Sequence, residues 1–213
     1  MTRARVIIER AASSRAPDIM EAILGHYTGS KGPPVGRNIA WRVFDAQSGD
    51  VIAHLGLGEP AYKLAARRRL GLMDARPLPC TVNNYIYRRL DGANPTDVRG
   101  SDILKAWHLI AAADWFDEYG EVPVHWESLV LPSAVTSAVP GASFRRAGYR
   151  SLGWTTGRSA RRPEGHGHGP RVWGPSVPKL VLYRGPLARL PACQLDGASG
   201  PGVGLTCSDW CLG

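Results

Sequence analysis

No apolar run in this chain approaches the roughly 20 residues that a membrane-spanning helix needs. The first residues, MTRARVIIERAASSRAP, include arginines but no stretch of roughly 7–15 apolar residues behind them, so no secretory leader is read there. Cysteine is sparse: Cys80, Cys193, Cys207 and Cys211 are irregularly spaced, and Cys207-x3-Cys211 has no second pair at zinc-ribbon spacing. Free thiols in a reducing compartment are the default expectation, and the lack of a span or leader signal favours a soluble, cytoplasmic protein. Lysine is scarcer than arginine, with only Lys31, Lys63, Lys105 and Lys179 among 26 basic residues. Acid is nearly missing from residues 145–189, where Glu164 stands alone against 10 basic groups.

What is present is an ordinary globular balance, 44% hydrophobic and 21% charged over 213 residues. A chain of this length can bury about 70% of its unfolded surface, so its core needs no disulfide or metal staple. The expected organisation is one domain over residues 1–189 and a poorly ordered, low-complexity tail over 190–213. The net charge of +8 is uneven. Residues 1–144 hold 16 basic and 15 acidic groups, whereas residues 190–213 hold two acids and no base, so the whole excess falls in 145–189. Arginine forks make two-point contacts with phosphate oxygens that lysine cannot make. A polyanion such as DNA is therefore the expected partner; the plainer alternative is a solvated face in an arginine-rich protein.

Along the chain, 17–27 (PDIMEAILGHY) spaces Ile19, Met20, Ile23 and Leu24 as a short amphipathic helix, with Asp18 placed to accept from its first-turn N–H groups. A breaker-rich loop follows over 28–36. Two β-rich runs, 39–45 and 51–57, flank a Ser-Gly-Asp turn and predict a hairpin. Residues 61–70 read as a short basic helix, and 80–90 (CTVNNYIYRRL) as a strand. The clearest helix spans 101–120, where Ile103, Leu104, Trp107, Ile110, Ala111 and Trp115 share a face and Gly120 stops it. Ser101 offers a hydroxyl cap at its start, where the open N–H groups suit an anion. Strands are predicted over 122–131, 150–155 and 178–183, a helical turn over 143–147, and a mobile basic loop over 161–174. This order suits an α/β or α+β layer with one mixed sheet.

Residues 127–158 (ESLVLPSAVTSAVPGASFRRAGYRSLGWTTGR) resemble the core signature of the Druantia anti-phage defence A family. His26-Tyr27-x-Gly29, HLGLGEPAYKLAARRR, Asn83-Asn84 and the closing PKLVLYRGPL also match it, so the likeness runs over about residues 20–187. The same order is similar to the GNAT acetyltransferase fold and, within it, to the DNA-modification group of phage Mu Mom. This resemblance implies a GNAT-like mixed sheet with a splayed central strand pair, a long central helix, and a possible acyl-CoA (acetyl-CoA) cofactor. It also implies a bacterial or phage-infected host cell, and a DNA-modifying acyltransferase or a non-catalytic DNA-binding component of a defence system. The chain departs from the pattern at two places. The usual Q/R-x-x-G-x-G/A pyrophosphate loop is not intact, its nearest equivalent being Val98-Arg99-Gly100-Ser101. The Arg-Asp-x-x-Ile-x-Trp box appears as Arg68-Arg69-Leu70-Gly71-Leu72, without the Asp or the Trp.

Acyl transfer to an amine needs a splayed strand pair, a donor for developing negative charge and a route for protons. The expected pair is residues 85–90 and 124–131. Glu127 is the candidate general base or substrate anchor, or else the partner of an arginine. Tyr149 is the candidate proton donor to a leaving thiolate, or a packed tyrosine. His26 either lines a substrate pocket or complements a helix end. Arg99, Gly100 and Ser101 are the candidate cofactor contacts. Arg145, Arg158, Arg161, Arg162 and Arg171 are the candidate nucleic-acid contacts. Trp41, Trp126 and Trp154 read as core side chains, although Trp154, next to the basic loop, could stack on a flipped base; His166-Gly-His168, in a Gly/Pro-rich loop with no partner carboxylate, is a weak metal site.

Overall fold

The computed structural model describes residues 6–26, 30–60, 80–90, 98–135, 138–155 and 177–185. The predicted basic helix at 61–70, the basic loop at 161–174, the tail at 190–213 and Tyr27 lie outside these residues.

Seven strands form one mixed sheet: β1 (Val6–Arg10), β2 (Asn38–Asp45), β3 (Val51–Gly58), β4 (Thr81–Arg89), β5 (His125–Val130), β6 (Arg150–Trp154) and β7 (Leu180–Arg184). Their order across the sheet is β1-β2-β3-β4-β5-β7-β6. All neighbours are antiparallel except β4 and β5, which run parallel. The helices are α1 (Pro17–Leu24), α2 (Gly100–Tyr119) and α3 (Ala142–Arg146). A parallel pair requires a crossover, and α2 supplies it. The protein is therefore α/β with the expected hairpin, the expected central helix and a mixed sheet.

Two packing clusters divide the faces of this sheet. On the larger side, Trp107, Ala111 and Trp115 of α2 pack on Trp41, Leu55, Val82, Trp126 and Leu182. The indole N–H of Trp41 is satisfied by the Asp114 carboxylate at 2.6 Å. On the other side, Ile19, Ala22 and Ile23 of α1 cover Ala40 and Ile86. Alternation along each strand explains the division: Ile39, Trp41 and Val43 face α2, while Ala40 and Arg42 face α1.

Three local expectations differ from the structure. Strand β1 is an edge strand that no strong periodicity announces; it forms because the outer edge of β2 offers a hydrogen-bonding template. Asp18 does not cap α1. Its carboxylate instead forms a two-point bridge to Arg42, at 2.6 and 2.7 Å, and meets His54 Nε2 at 3.1 Å. Ser101 does not cap α2 either, because Arg99 holds the extended N-cap position and Ser101 lies buried inside the first turn. Gly120 does end α2, with a left-handed φ of 71° that suits glycine.

Candidate functional site

The parallel pair at the middle of the sheet is only partly zipped. Residues 81–84 of β4 pair with 125–128 of β5, and the register ends at Asn84 and Ser128. Beyond that point β4 continues against β3 alone and β5 against β7 alone. The cause lies in β4. Gly56 opposes Ile86 while Leu57 opposes Asn84, so Tyr85 is an extra residue, a bulge that bends the strand. Tyr85 and Ile86 then both lie on the α1 side, and Tyr87 returns to the α2 side. The predicted splayed pair is thus present, opening toward the C-terminal ends of β4 and β5.

The N-terminus of α2 stands beside this split. Gly100 is buried and packs so closely on β4 and α3 that a Cβ there would collide with the Tyr87 hydroxyl and come within 2.9 Å of Ser143 Oγ. Arg99 is exposed, and the Asp102 and Ile103 N–H groups both donate to its carbonyl oxygen. Tyr87 crosses Phe144 edge to face at 5.6 Å, and its hydroxyl is buried with no hydrogen-bond partner among the described residues. Burial pushes that phenol up to about 12, so it stays protonated across ordinary pH. In the sequence Tyr87 is one residue of the predicted strand 80–90, and its place on the strand bordering the predicted split is the available signal.

Glu127 lies on β5 between Asn83 and Tyr183, in the penultimate pair before the split. Its neighbour Trp126 faces α2, so Glu127 projects to the α1 side, where it is 2% exposed. Burial, helped by the negative charge of Glu127, raises the Tyr183 phenol to about 12. Tyr183 in turn meets His125 Nδ1 at 2.6 Å. His26 follows α1, and its amide donates to the carbonyl of Ile23. Burial, helped by the positive charges of Arg88 and Lys179, lowers His26 to about 4. Arg88 reaches the Ala22 carbonyl at 3.4 Å, complementing the C-terminal end of α1.

Tyr149 occupies the other face. It is 3% exposed, crosses Phe144 edge to face at 5.1 Å, and its hydroxyl meets His108 Nε2 at 2.9 Å. His108 lies about 12 Å along α2 from Gly100 at 1.5 Å per residue. The fold therefore gathers Arg99, Gly100 and Ser101 with Tyr87 on one side of the sheet. Glu127 and His26 belong to the opposite side, and the Tyr149 hydroxyl is held deeper under α2. Arg145 and Arg146 are exposed on α3, and Arg150 is exposed at the start of β6. Arg158, Arg161, Arg162 and Arg171 lie outside the described residues, as do His166 and His168. Among the described residues, no group of three His, Cys, Asp or Glu side chains gathers to hold a metal, and no helix is long and apolar enough to cross a membrane.

The chain defines a class on these grounds: an α/β protein whose seven-stranded mixed sheet splits between its parallel strands beside the start of its long helix. No family profile and no curated protein sequence matches it. Similar solved structures include an IAA acetyltransferase from Bacillus cereus, at 16% identity and a TM-score of 0.46, covering 84% of this chain and 99% of that one. An acetyltransferase from Bacillus subtilis in complex with CoA gives 10% identity and a TM-score of 0.48, covering 85% and 99%. The aminoglycoside acetyltransferase AAC(6')-Ib, in complex with coenzyme A and kanamycin, gives 10% identity and a TM-score of 0.47, covering 85% and 95%.

Proposed function

We propose that this protein transfers an acyl group from an acyl-CoA thioester to an amine. The observation that carries the reading is the loss of pairing after Asn84 and Ser128, next to the N-terminus of α2. Over residues 85–89, β4 turns toward the split an edge that no longer pairs with β5, and backbone N–H and C=O groups on such an edge suit an amide-bearing chain laid alongside. Arg99, with Gly100 and Ser101 at the positive end of α2, would hold the phosphates of the cofactor. The fit is good at the strand edge and thinner at the phosphates, since Asp102 puts a carboxylate in that same first turn. The cofactor supplies an activated thioester.

In this reading the acceptor amine enters from the α1 side, where Glu127 and His26 lie. Glu127 anchors the amine or takes the proton it releases as the new C–N bond forms. A tyrosine returns a proton to the departing sulfur. Tyr149, the sequence candidate, has its hydroxyl engaged by His108; the Tyr87 hydroxyl stands at Gly100, beside the split, and is the better-placed donor. Comparing Tyr87→Phe with Tyr149→Phe at constant folded fraction decides between them.

The acceptor we infer is a base amine of DNA, as in the Mom group that the sequence resembles. Its support is the arginine concentration over residues 145–189, of which Arg145, Arg146 and Arg150 are exposed. Mass spectrometry of nucleosides from DNA co-expressed with the protein tests this, and unmodified bases alongside folded protein would refute it. The incomplete pyrophosphate loop favours a second reading, a non-catalytic DNA-binding component of a defence system. There Glu127→Gln leaves the biological effect intact, while Arg158→Ala with Arg161→Ala abolishes it.

A further inference from the structure

A cavity of about 430 Å³ opens at the zipped end of the sheet, away from the split. Its walls come from the middle of α2, the residues leading into β5, the start of β6 and the end of β7. Leu109, Ala112, Pro123, Val124 and Trp126 give it an apolar lining, and Arg150 and Arg184 bring two positive charges. Among the described residues no carboxylate lines it, and neither arginine has an acid within ion-pair distance. Uncompensated guanidinium groups beside apolar walls fit an anion that carries an apolar body.

His108 adds a third polar group. It lines the cavity, is 3% exposed, and its Nδ1 is buried with no hydrogen-bond partner among the described residues. Burial, with the Arg184 charge nearby, lowers this histidine to about 3, so the ring is neutral and carries one proton. In the tautomer in which Tyr149 donates to Nε2, that proton sits on Nδ1 and makes it a donor.

We propose that this cavity is a second ligand site, distinct from the split, which takes a small carboxylate with an apolar body between Arg150, Arg184 and the Trp126 wall. The site does not depend on acyl transfer. Its test is a titration of the full-length protein with phenylacetate, phenylacetamide and inorganic phosphate, followed by tryptophan fluorescence and calorimetry. Phenylacetate should bind saturably, and both the neutral amide and the phosphate about tenfold more weakly or worse. Arg184→Gln should raise the phenylacetate Kd about tenfold. Leu109→Glu, at a side chain 76% exposed and so harmless to folding, should do the same by placing a negative charge at the mouth. Acetyl-CoA should not compete. Absence of saturable binding, equal binding of acid and amide, phosphate binding as well as phenylacetate, an unchanged Kd in Leu109→Glu, or competition by acetyl-CoA would each overturn the assignment.

Discussion

The imidazole of His108 and the hydroxyl of Tyr149 meet at 2.9 Å beneath α2, inside an aromatic shell of Trp107, Trp126 and Phe144. Both groups are buried, so each is the other's answer to desolvation. Tyr149→Phe removes the oxygen and strands the imidazole Nε2. Denaturant unfolding should show a loss of about 1–3 kcal/mol. If Tyr149 were also the proton donor in catalysis, turnover per folded molecule would fall as well.

Acid should weaken the fold through the same histidine. Burial holds His108 near 3 in the folded chain, against about 6.5 when unfolded. The unfolded chain therefore binds a proton that the folded chain refuses. The stabilisation is complete above about pH 6.5 and declines as pH falls toward 3, by at most about 1.4 kcal/mol per pH unit. Unfolding free energies at pH 7, 6 and 5 should fall along a steeper line for the native protein than for His108→Gln.

Gly100→Ala puts a Cβ against the Tyr87 hydroxyl and Ser143. Neither the strand nor α3 can retreat without disturbing the Phe144 contact, so overpacking of about 1–3 kcal/mol is expected. Acetyl-CoA affinity should drop as well, because the start of α2 is displaced from the split. Calorimetric titration with acetyl-CoA, beside a thermal melt, separates the two effects.

Glu127→Gln keeps the shape of the side chain while removing its charge. Acyl transfer to an amine should slow by about 10²–10⁴-fold if the carboxylate accepts the proton. The far-ultraviolet dichroism should not change. Turnover assays with purified protein, acetyl-CoA and DNA measure this, and a native rate would leave Glu127 a structural acid.

The basic positions should act through phosphate contacts rather than base reading. Replacing Arg158 and Arg161 together by alanine is expected to reduce the slope of log affinity against log salt by about two. Binding measured at several salt concentrations checks it; an unaltered slope would place these side chains away from DNA.

Most elements were legible because their signals are local. The Ser-Gly-Asp turn between β-branched runs announces β2 and β3, and the 3.6-residue spacing of Ile103, Leu104, Trp107, Ala111 and Trp115 announces α2. Strand β1 was missed because an edge strand owes its existence to the strand beside it. The Ser101 and Asp18 caps were misread because a cap is one of several uses for a short polar side chain. The Arg42 guanidinium, on the face of β2 that α1 covers, competed successfully for Asp18.

The candidate site divides in the same way. Glu127 could be marked from sequence as an acid in a strand of apolar neighbours, and residues 85–90 and 124–131 as a pair flanking a long helix. The role of Tyr87 could not be marked, since it follows from a bulge at Tyr85 that appears only when Gly56 and Leu57 are set against β4.

Composition and periodicity by themselves determined the α/β class, the long helix, the hairpin and the concentration of arginine, because hydrophobic spacing and charge are properties of neighbouring residues. Tertiary structure alone decided which side of the sheet each polar group occupies. One extra residue in a strand reverses the alternation of every side chain after it, and that reversal places the Tyr87 hydroxyl beside Gly100, across the sheet from Glu127.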